Sequence, residues 1–351
     1  MTGGKLGVWL LGICCLAANG AEPEMNRIPA GDARLEYSSY VRKNVSGEGV
    51  GFDRVLPHGR NYQLDNPGVR LRFRCDAKDL QVELGYLERN NPVRARNGVG
   101  VFRIDGAGRE EWRFDRPAPA GREPEIVTVK LPADGGFHDY ELILPYGDRV
   151  EVRAVLTDPA ARFERPAARP AKRVVFYGDS VTHGFTASRI DRTYPFLVGE
   201  KLGVEAVNLG LGGIGLNPVA AKQLAELPMD LLVVAIGVND WQGGRPPEEY
   251  AKRATQFAER ILARRPDLPL VWITPLWVPP SWKPEKAKYD LPLYGEAAAR
   301  ALRELPGVRV VDGSALIDHD PALFDRVAVH PNDRGFAMMA ERLSRQLEDL
   351  K

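Results

Sequence analysis

Leu231–Gly237, LLVVAIG, is the stretch on which the fold turns. Six apolar residues run without alternation and leave no polar face for solvent. Such a run reads as a strand buried on both faces, as in a parallel sheet covered by helices. Outward from it the same texture repeats. Arg173–Tyr177, Val204–Leu209, Leu268–Thr274 and Val308–Asp312 read as further strands. Between and after them lie helical segments near Tyr194–Leu202, Pro218–Glu226, Pro247–Arg264, Leu293–Glu304 and Asp333–Leu350. Five βα units in about 180 residues predict a doubly wound α/β domain spanning residues 173–351.

Upstream, the period changes. VRLRFRC (Val69–Cys75), LQVELGY (Leu80–Tyr86), VGVFRID (Val99–Asp105), EIVTVKL (Glu125–Leu131), DYELILP (Asp139–Pro145) and RVEVRAV (Arg149–Val155) are short β-rich runs. Gly, Pro, Asp and Asn separate them, which predicts an antiparallel β-sandwich, jelly-roll-like, over residues 26–156. In the first run Val69, Leu71, Phe73 and Cys75 share one face and three Arg the other, so Cys75 reads as a core thiol. His58 and His138 stand isolated and carry no catalytic cluster. TDPAARFERPAARPAK (157–172) has no apolar period and reads as the connector between the two domains.

The N-terminus reads as an export signal over residues 1–20. Lys5 precedes the apolar run Val8–Ala18, which is too short to span a bilayer, and Ala18-Asn19-Gly20 offers a cleavage site. A lipid anchor through Cys14 or Cys15 is the competing reading, disfavoured by Ile13 where a small residue is wanted. Export predicts a secreted or periplasmic protein with no stable membrane insertion after cleavage. It leaves Cys75 as the single thiol, so packing rather than an internal disulfide must hold the fold. The 351 residues carry 48 basic and 47 acidic side chains with no basic block, which argues against nucleic acid as a partner.

In a doubly wound sheet, ligands bind beyond the carboxyl ends of the strands. Four polar clusters fall there: Gly178-Asp179-Ser180, Asn208–Gly213 (NLGLGG), Gly237-Val238-Asn239-Asp240, and Val329–Asp333 (VHPND). These residue types suit acyl transfer. A serine hydroxyl needs a base to take its proton, and His330 is the histidine placed to do so. The oxyanion that forms needs preorganised donors. The backbone N–H groups of Ser180 and Gly213 and the amide of Asn239 are the candidates. Alone, Ser180 reads as a helix cap; with its three companions it reads as the nucleophile. Asp179 reads as structural and His183 as a neighbour on the following helix. Asn239 as a mere turn residue is the weaker reading. Asp318-His319-Asp320 resembles a metal cluster, but consecutive loop residues rarely converge on one ion.

GDSVTHG, NLGLGG, GVND and VHPND together resemble blocks I, II, III and V of the GDSL, or SGNH, hydrolases, from about Arg173 to the C-terminus. The resemblance maps the family's Ser, Gly, Asn and His onto Ser180, Gly213, Asn239 and His330. It implies a flavodoxin-like three-layer α/β/α fold, no metal or other cofactor, and cleavage of esters of small acyl groups, lipids or decorated sugars. A preceding β-sandwich is similar to the arrangement in some carbohydrate acetyl esterases. The family's acid stands three residues before the histidine, where this chain has Val327; the nearest carboxylate is Asp325. Asp325 reaching the imidazole, a backbone carbonyl orienting a Ser-His dyad, and a weakened site all stay open.

The segment Pro275–Leu293 follows the fourth strand at the same edge and carries Trp277, Trp282 and Tyr289. Either it is a lid whose aromatic faces line a substrate site, or a surface loop pinned by its own hydrophobes. The expected activity is that of an exported serine esterase removing a small acyl group from a glycan or other small-molecule ester. Acyl transfer by the same residues and a non-catalytic glycan-binding protein are the alternatives. Oligomeric state is left open.

Overall fold

The computed structural model describes residues 24–47, 49–53, 67–89, 99–113, 124–145, 147–325 and 329–350. The expected signal (1–20), His58 and Val327 lie outside the described residues.

The N-terminal strands are β1 (Asn26–Pro29), β2 (Glu36–Ser38), β3 (Arg42–Ser46), β4 (Gly49–Asp53), β5 (Arg70–Cys75), β6 (Leu80–Arg89), β7 (Val99–Ile104), β8 (Ala107–Arg113), β9 (Glu125–Leu131), β10 (His138–Ile143), β11 (Asp148–Thr157) and β12 (Phe163–Glu164). They form two antiparallel sheets, ordered β3-β4-β11-β6-β9 with β1 also on β11, and β12-β5-β10-β7-β8 with β2 also on β5. Alternation along each strand sends apolar side chains inward. Leu71, Phe73 and Cys75 of one sheet meet Val82, Leu84 and Val152 of the other in a shared core. Burial pushes the Cys75 thiol up to about 11, so it is inert packing. His138 is not isolated: it sits between Asp105 (2.6 Å) and Asp134 (3.0 Å), whose hydrogen bonds raise its pKa. The expected connector is also corrected. Thr157 still belongs to β11, Phe163–Glu164 adds β12 to the edge of β5, and Arg162 pairs with Asp76 at 2.6 Å.

The second half holds β13 (Arg173–Gly178), α1 (Ser180–His183), α2 (Tyr194–Leu202), β14 (Glu205–Gly210), α3 (Ala220–Leu224), β15 (Leu231–Ala235), α4 (Val238–Gln242), α5 (Pro247–Leu262), β16 (Leu270–Ile273), α6 (Leu291–Leu302), β17 (Val308–Val311) and α7 (Asp333–Leu347). The five strands form a parallel sheet in the order β14-β13-β15-β16-β17. Alternate residues of each strand enter different cores. Val175, Tyr177, Leu232 and Val234 pack with α3, α5 and α6, whereas Val174, Phe176, Leu231 and Val233 pack with α2 and α7. That two-sided burial is why LLVVAIG shows no alternation. Since β14 and β15 flank β13 on opposite sides, the chain order reverses beside β13, and the segment after it opens into the crevice.

The two halves meet through an apolar cluster of Val101 and Ile143 from the sandwich with Phe185, Ile190 and Phe196. Around it, Arg103 pairs with Glu200 at 2.8 Å and Arg70 with Glu141 at 3.0 Å. The Arg70 and Arg103 guanidinium carbons lie 4.5 and 5.0 Å from the centre of the Phe196 ring, within cation–π range.

Two local constraints set α1. A Cβ on Gly210 would lie 1.9 Å from the backbone nitrogen of His183, so β14 can approach α1 only with glycine there. Asn208 holds the same junction, its amide donating to Thr182 O (2.8 Å) and its oxygen accepting from Gly210 N (2.9 Å). Asp179 caps α1 by accepting from Val181 N at 3.0 Å. It is fully buried, and desolvation pushes its carboxyl up to about 7.

Gly210→Ala is therefore expected to destabilise the protein by about 3 kcal/mol, read from urea unfolding. The folded Asp179 pKa lies above that of the unfolded chain, so folding takes up a proton between about pH 4 and 7. This group thus adds stability as pH falls through that window. Asp179→Asn keeps an acceptor for Val181 and removes the ionisation, so the stability of the variant relative to wild type should fall between about pH 7.5 and about pH 4.5, as urea midpoints at both ends would record.

Candidate active site

Ser180 is the first residue of α1, separated from the end of β13 by the cap Asp179. As the first helical residue, its N–H has no acceptor one turn earlier. His330 comes from the segment leading into α7. Its Nε2 lies 2.8 Å from Ser180 Oγ, although 150 residues separate the two in sequence. Both are nearly buried, at 6 % and 8 % exposed. A hydroxyl at hydrogen-bond distance from an imidazole nitrogen is the pair a serine nucleophile needs.

Asp325 faces the other ring nitrogen. Its Oδ2 is 3.8 Å from His330 Nδ1, within ion-pair reach but beyond hydrogen-bond length. Nδ1 has no hydrogen-bond partner among the described residues. The backbones of the two residues are joined, with Asp325 N donating to His330 O at 2.8 Å and His330 N to Asp325 Oδ1 at 3.4 Å. Burial raises the Asp325 carboxyl, but the His330 ring and the backbone N–H groups of His330 and Val329 outweigh it and hold the pKa below the ordinary value.

On the β14 and β15 side, Gly213 and Asn239 border one depression of about 470 Å³. Gly213 has φ +74°, and its N–H donates to no acceptor among the described residues. Asn239 spends one amide proton on Ile214 O at 2.9 Å, which locks the side chain and leaves its second proton for a ligand. Asp240 is the supporting residue that residue-by-residue reading passed over. It accepts from Leu216 N (2.8 Å) and Arg245 Nε (2.5 Å), tying the Gly213–Leu216 loop to α4. Burial raises its carboxyl despite those partners. Its place inside GVND was the available signal.

The aromatic loop lies elsewhere. Trp277 and Trp282 line a cavity of about 1040 Å³ between Pro275–Lys283, α6 and β17, and neither Ser180 nor His330 lines it. Trp277 stacks on His319 at 4.9 Å and meets Phe324 edge-on at 5.4 Å; Trp282 meets Trp241 edge-on at 5.5 Å. Tyr289 is not among the lining residues, and its carbonyl accepts from Trp241 Nε1 at 2.9 Å. Asp318-His319-Asp320 does not converge: Asp318 pairs with Arg342 at 2.6 Å, and Asp320 caps Ala322 N at 2.9 Å.

Residues 176–338 match the family model of the GDSL-like lipase/acylhydrolases. No curated protein is a match in sequence. Among solved structures, the chain is similar to a salicylyl-acyltransferase from a tetracycline biosynthetic pathway, at 22% identity and TM-score 0.74, covering 93% of this chain and 97% of that one. It is similar also to a family two carbohydrate esterase from Cellvibrio japonicus (18% identity, TM-score 0.67, 93% and 98% covered). A third similar structure is an acetyl xylan esterase from the rumen bacterium Butyrivibrio proteoclasticus (13%, TM-score 0.61, 90% and 98%). At these identities the likeness is one of fold, and it extends over both halves of the chain. Four sequence blocks meeting at one sheet edge, with the family match across them, make residues 176–338 a GDSL-like lipase/acylhydrolase domain, a carboxylic ester hydrolase.

Proposed function

We propose that the protein is an exported serine esterase that hydrolyses a small acyl ester, acetyl in the simplest case, on a carbohydrate-like substrate. The observation that carries the chemistry is the 2.8 Å contact between Ser180 Oγ and His330 Nε2. In this reading His330 takes the Ser180 proton as Oγ attacks the ester carbonyl, and the oxyanion is held by the N–H groups of Ser180 and Gly213 and the free amide proton of Asn239. His330 then protonates the departing alcohol. Water, deprotonated by the same imidazole, releases the acid and restores Ser180.

The 3.8 Å separation favours a Ser-His pair in which Asp325 acts through its charge, stabilising the imidazolium at ion-pair distance. The glycan half of the reading is supported by two of the similar structures, a carbohydrate esterase and an acetyl xylan esterase. Export rests on the apolar run near the N-terminus; among the described residues no helix is long and apolar enough to cross a membrane. Acyl transfer to an alcohol other than water is the second reading, favoured by the similarity to the salicylyl-acyltransferase. Product analysis with competing acceptor alcohols separates the two.

Ser180→Ala is expected to lower turnover of para-nitrophenyl acetate and of an acetylated glycan by more than about 10⁴-fold; unchanged turnover on both would refute the proposal. Asp325→Asn should cost only about tenfold in kcat, against roughly 10⁴ where a carboxylate is hydrogen-bonded to its histidine. Steady-state kinetics on the aryl ester distinguish these outcomes.

A further inference from the structure

With His330 Nδ1 lacking a hydrogen bond to Asp325, the orientation of the imidazole needs another source. The segment following α1 supplies one. The Phe185 ring lies 5.7 Å from the His330 ring at 59°, forming one wall of the imidazole site. Thr186 Oγ1 lies 2.8 Å from Pro331 O, one residue beyond His330, and its single proton is shared between that carbonyl and Phe185 O. Ser188 donates twice to Asp333, from its N–H at 2.7 Å and from its Oγ at 2.6 Å. Three of four consecutive residues thus grip the stretch His330–Asp333 from one side.

The backbone there carries strain. Thr186 has φ +74°, a left-handed conformation that a β-branched residue adopts at a cost. That geometry accompanies the grip on Pro331. Phe185 is confined in turn. A Cβ on Gly212 would lie 2.7 Å from its Cζ, and His183 packs 4.9 Å from its ring centre. Phe185 belongs with Val101 and Ile143 of the β-sandwich to the apolar cluster shared by the two halves. The Arg103–Glu200 pair and the guanidinium groups over Phe196 close the rim of that cluster.

We infer that Phe185, Thr186 and Ser188 are positioning residues for His330, and that the β-sandwich acts as the rigid backing of this clasp through Val101 and Ile143. The N-terminal domain is on this account part of the catalytic apparatus, whatever else it binds. The inference rests on the reading of His330 as the base. A ring held by packing on one face and by its backbone on both sides keeps Nε2 on Ser180 without a strong carboxylate bond, and displacement of about 1 Å costs on the order of 100-fold in rate.

The test uses the full chain and para-nitrophenyl acetate, with thermal melts to follow folding. His330→Ala is measured first; wild-type turnover in that variant would sink the base reading itself, separately from the clasp. With His330→Ala inactive, Thr186→Val, which keeps the shape and loses the hydroxyl, is expected to lower kcat by about 10- to 100-fold with KM within about twofold. Thr186→Ser should recover most of that loss. Val101→Ala, in the sandwich, should lower kcat by several-fold in protein that remains folded. Wild-type kcat in Thr186→Val, or equal losses in the Val and Ser variants, overturns the clasp. A Val101→Ala loss that only tracks the unfolded fraction overturns the backing role.

Discussion

Parallel strands joined by helices on both faces must all point their carboxyl ends the same way, and the catalytic chemistry of this chain hangs on that constraint. Block I leaves β13, block II leaves β14, block III leaves β15, and the histidine block follows β17 on the way into α7. No local interaction relates Ser180 to His330. The sheet brings them together because each strand is registered on its neighbour by evenly spaced hydrogen bonds. The tightness of the assembly at this edge shows in its glycines. Gly178 and Gly210 leave no room for a Cβ, because α1 presses onto β13 and β14 as soon as the chain turns. Loosening that junction would displace the nucleophile itself.

Polar groups around the site divide by what holds them. Asp240 is buried with a guanidinium and a backbone N–H, so its charge is compensated while it fixes the Gly213 loop. Such a pair is weak evidence of stability but good evidence of a defined geometry. Asp179 has a backbone partner and no cation of its own among its hydrogen bonds, and its carboxyl is accordingly pushed up by burial. Asp325 is the least buried of the three and the one nearest the imidazole. The carboxylates at this edge thus serve three separate purposes, loop anchoring, helix capping and charge balance.

Much of the α/β half was legible because its local signals agree with its packing. The helix expected at Tyr194–Leu202 has those bounds, with Pro195 in its first turn and Gly203 closing it in a left-handed conformation. The helix expected to start at Leu293 starts at Leu291 instead, since Pro292 is itself well placed in a first turn. Where signals conflicted, reading failed. The Pro- and Arg-rich stretch 157–172 has a connector's composition, yet Phe163 finds a place against Phe73 and draws a short strand onto β5. His138 looked solitary because its two carboxylates lie 33 and 4 residues away, and only the β10 pairing with β7 delivers Asp105.

The apolar period and the four polar blocks after strands were determined by the sequence alone, because each depends on neighbours within one turn or one strand. From these followed the sheet, its buried character, and Ser180, Gly213, Asn239 and His330 as the residues to examine. What the tertiary structure decided is everything set by distance between remote segments. It placed Asp325 at 3.8 Å rather than at bonding length, put Trp277 and Trp282 around a separate cavity, and gathered Val101 and Ile143 into one cluster with Phe185. Those relations depend on how one packed layer sits on another, and no local pattern encodes the fit of two surfaces that meet only after folding.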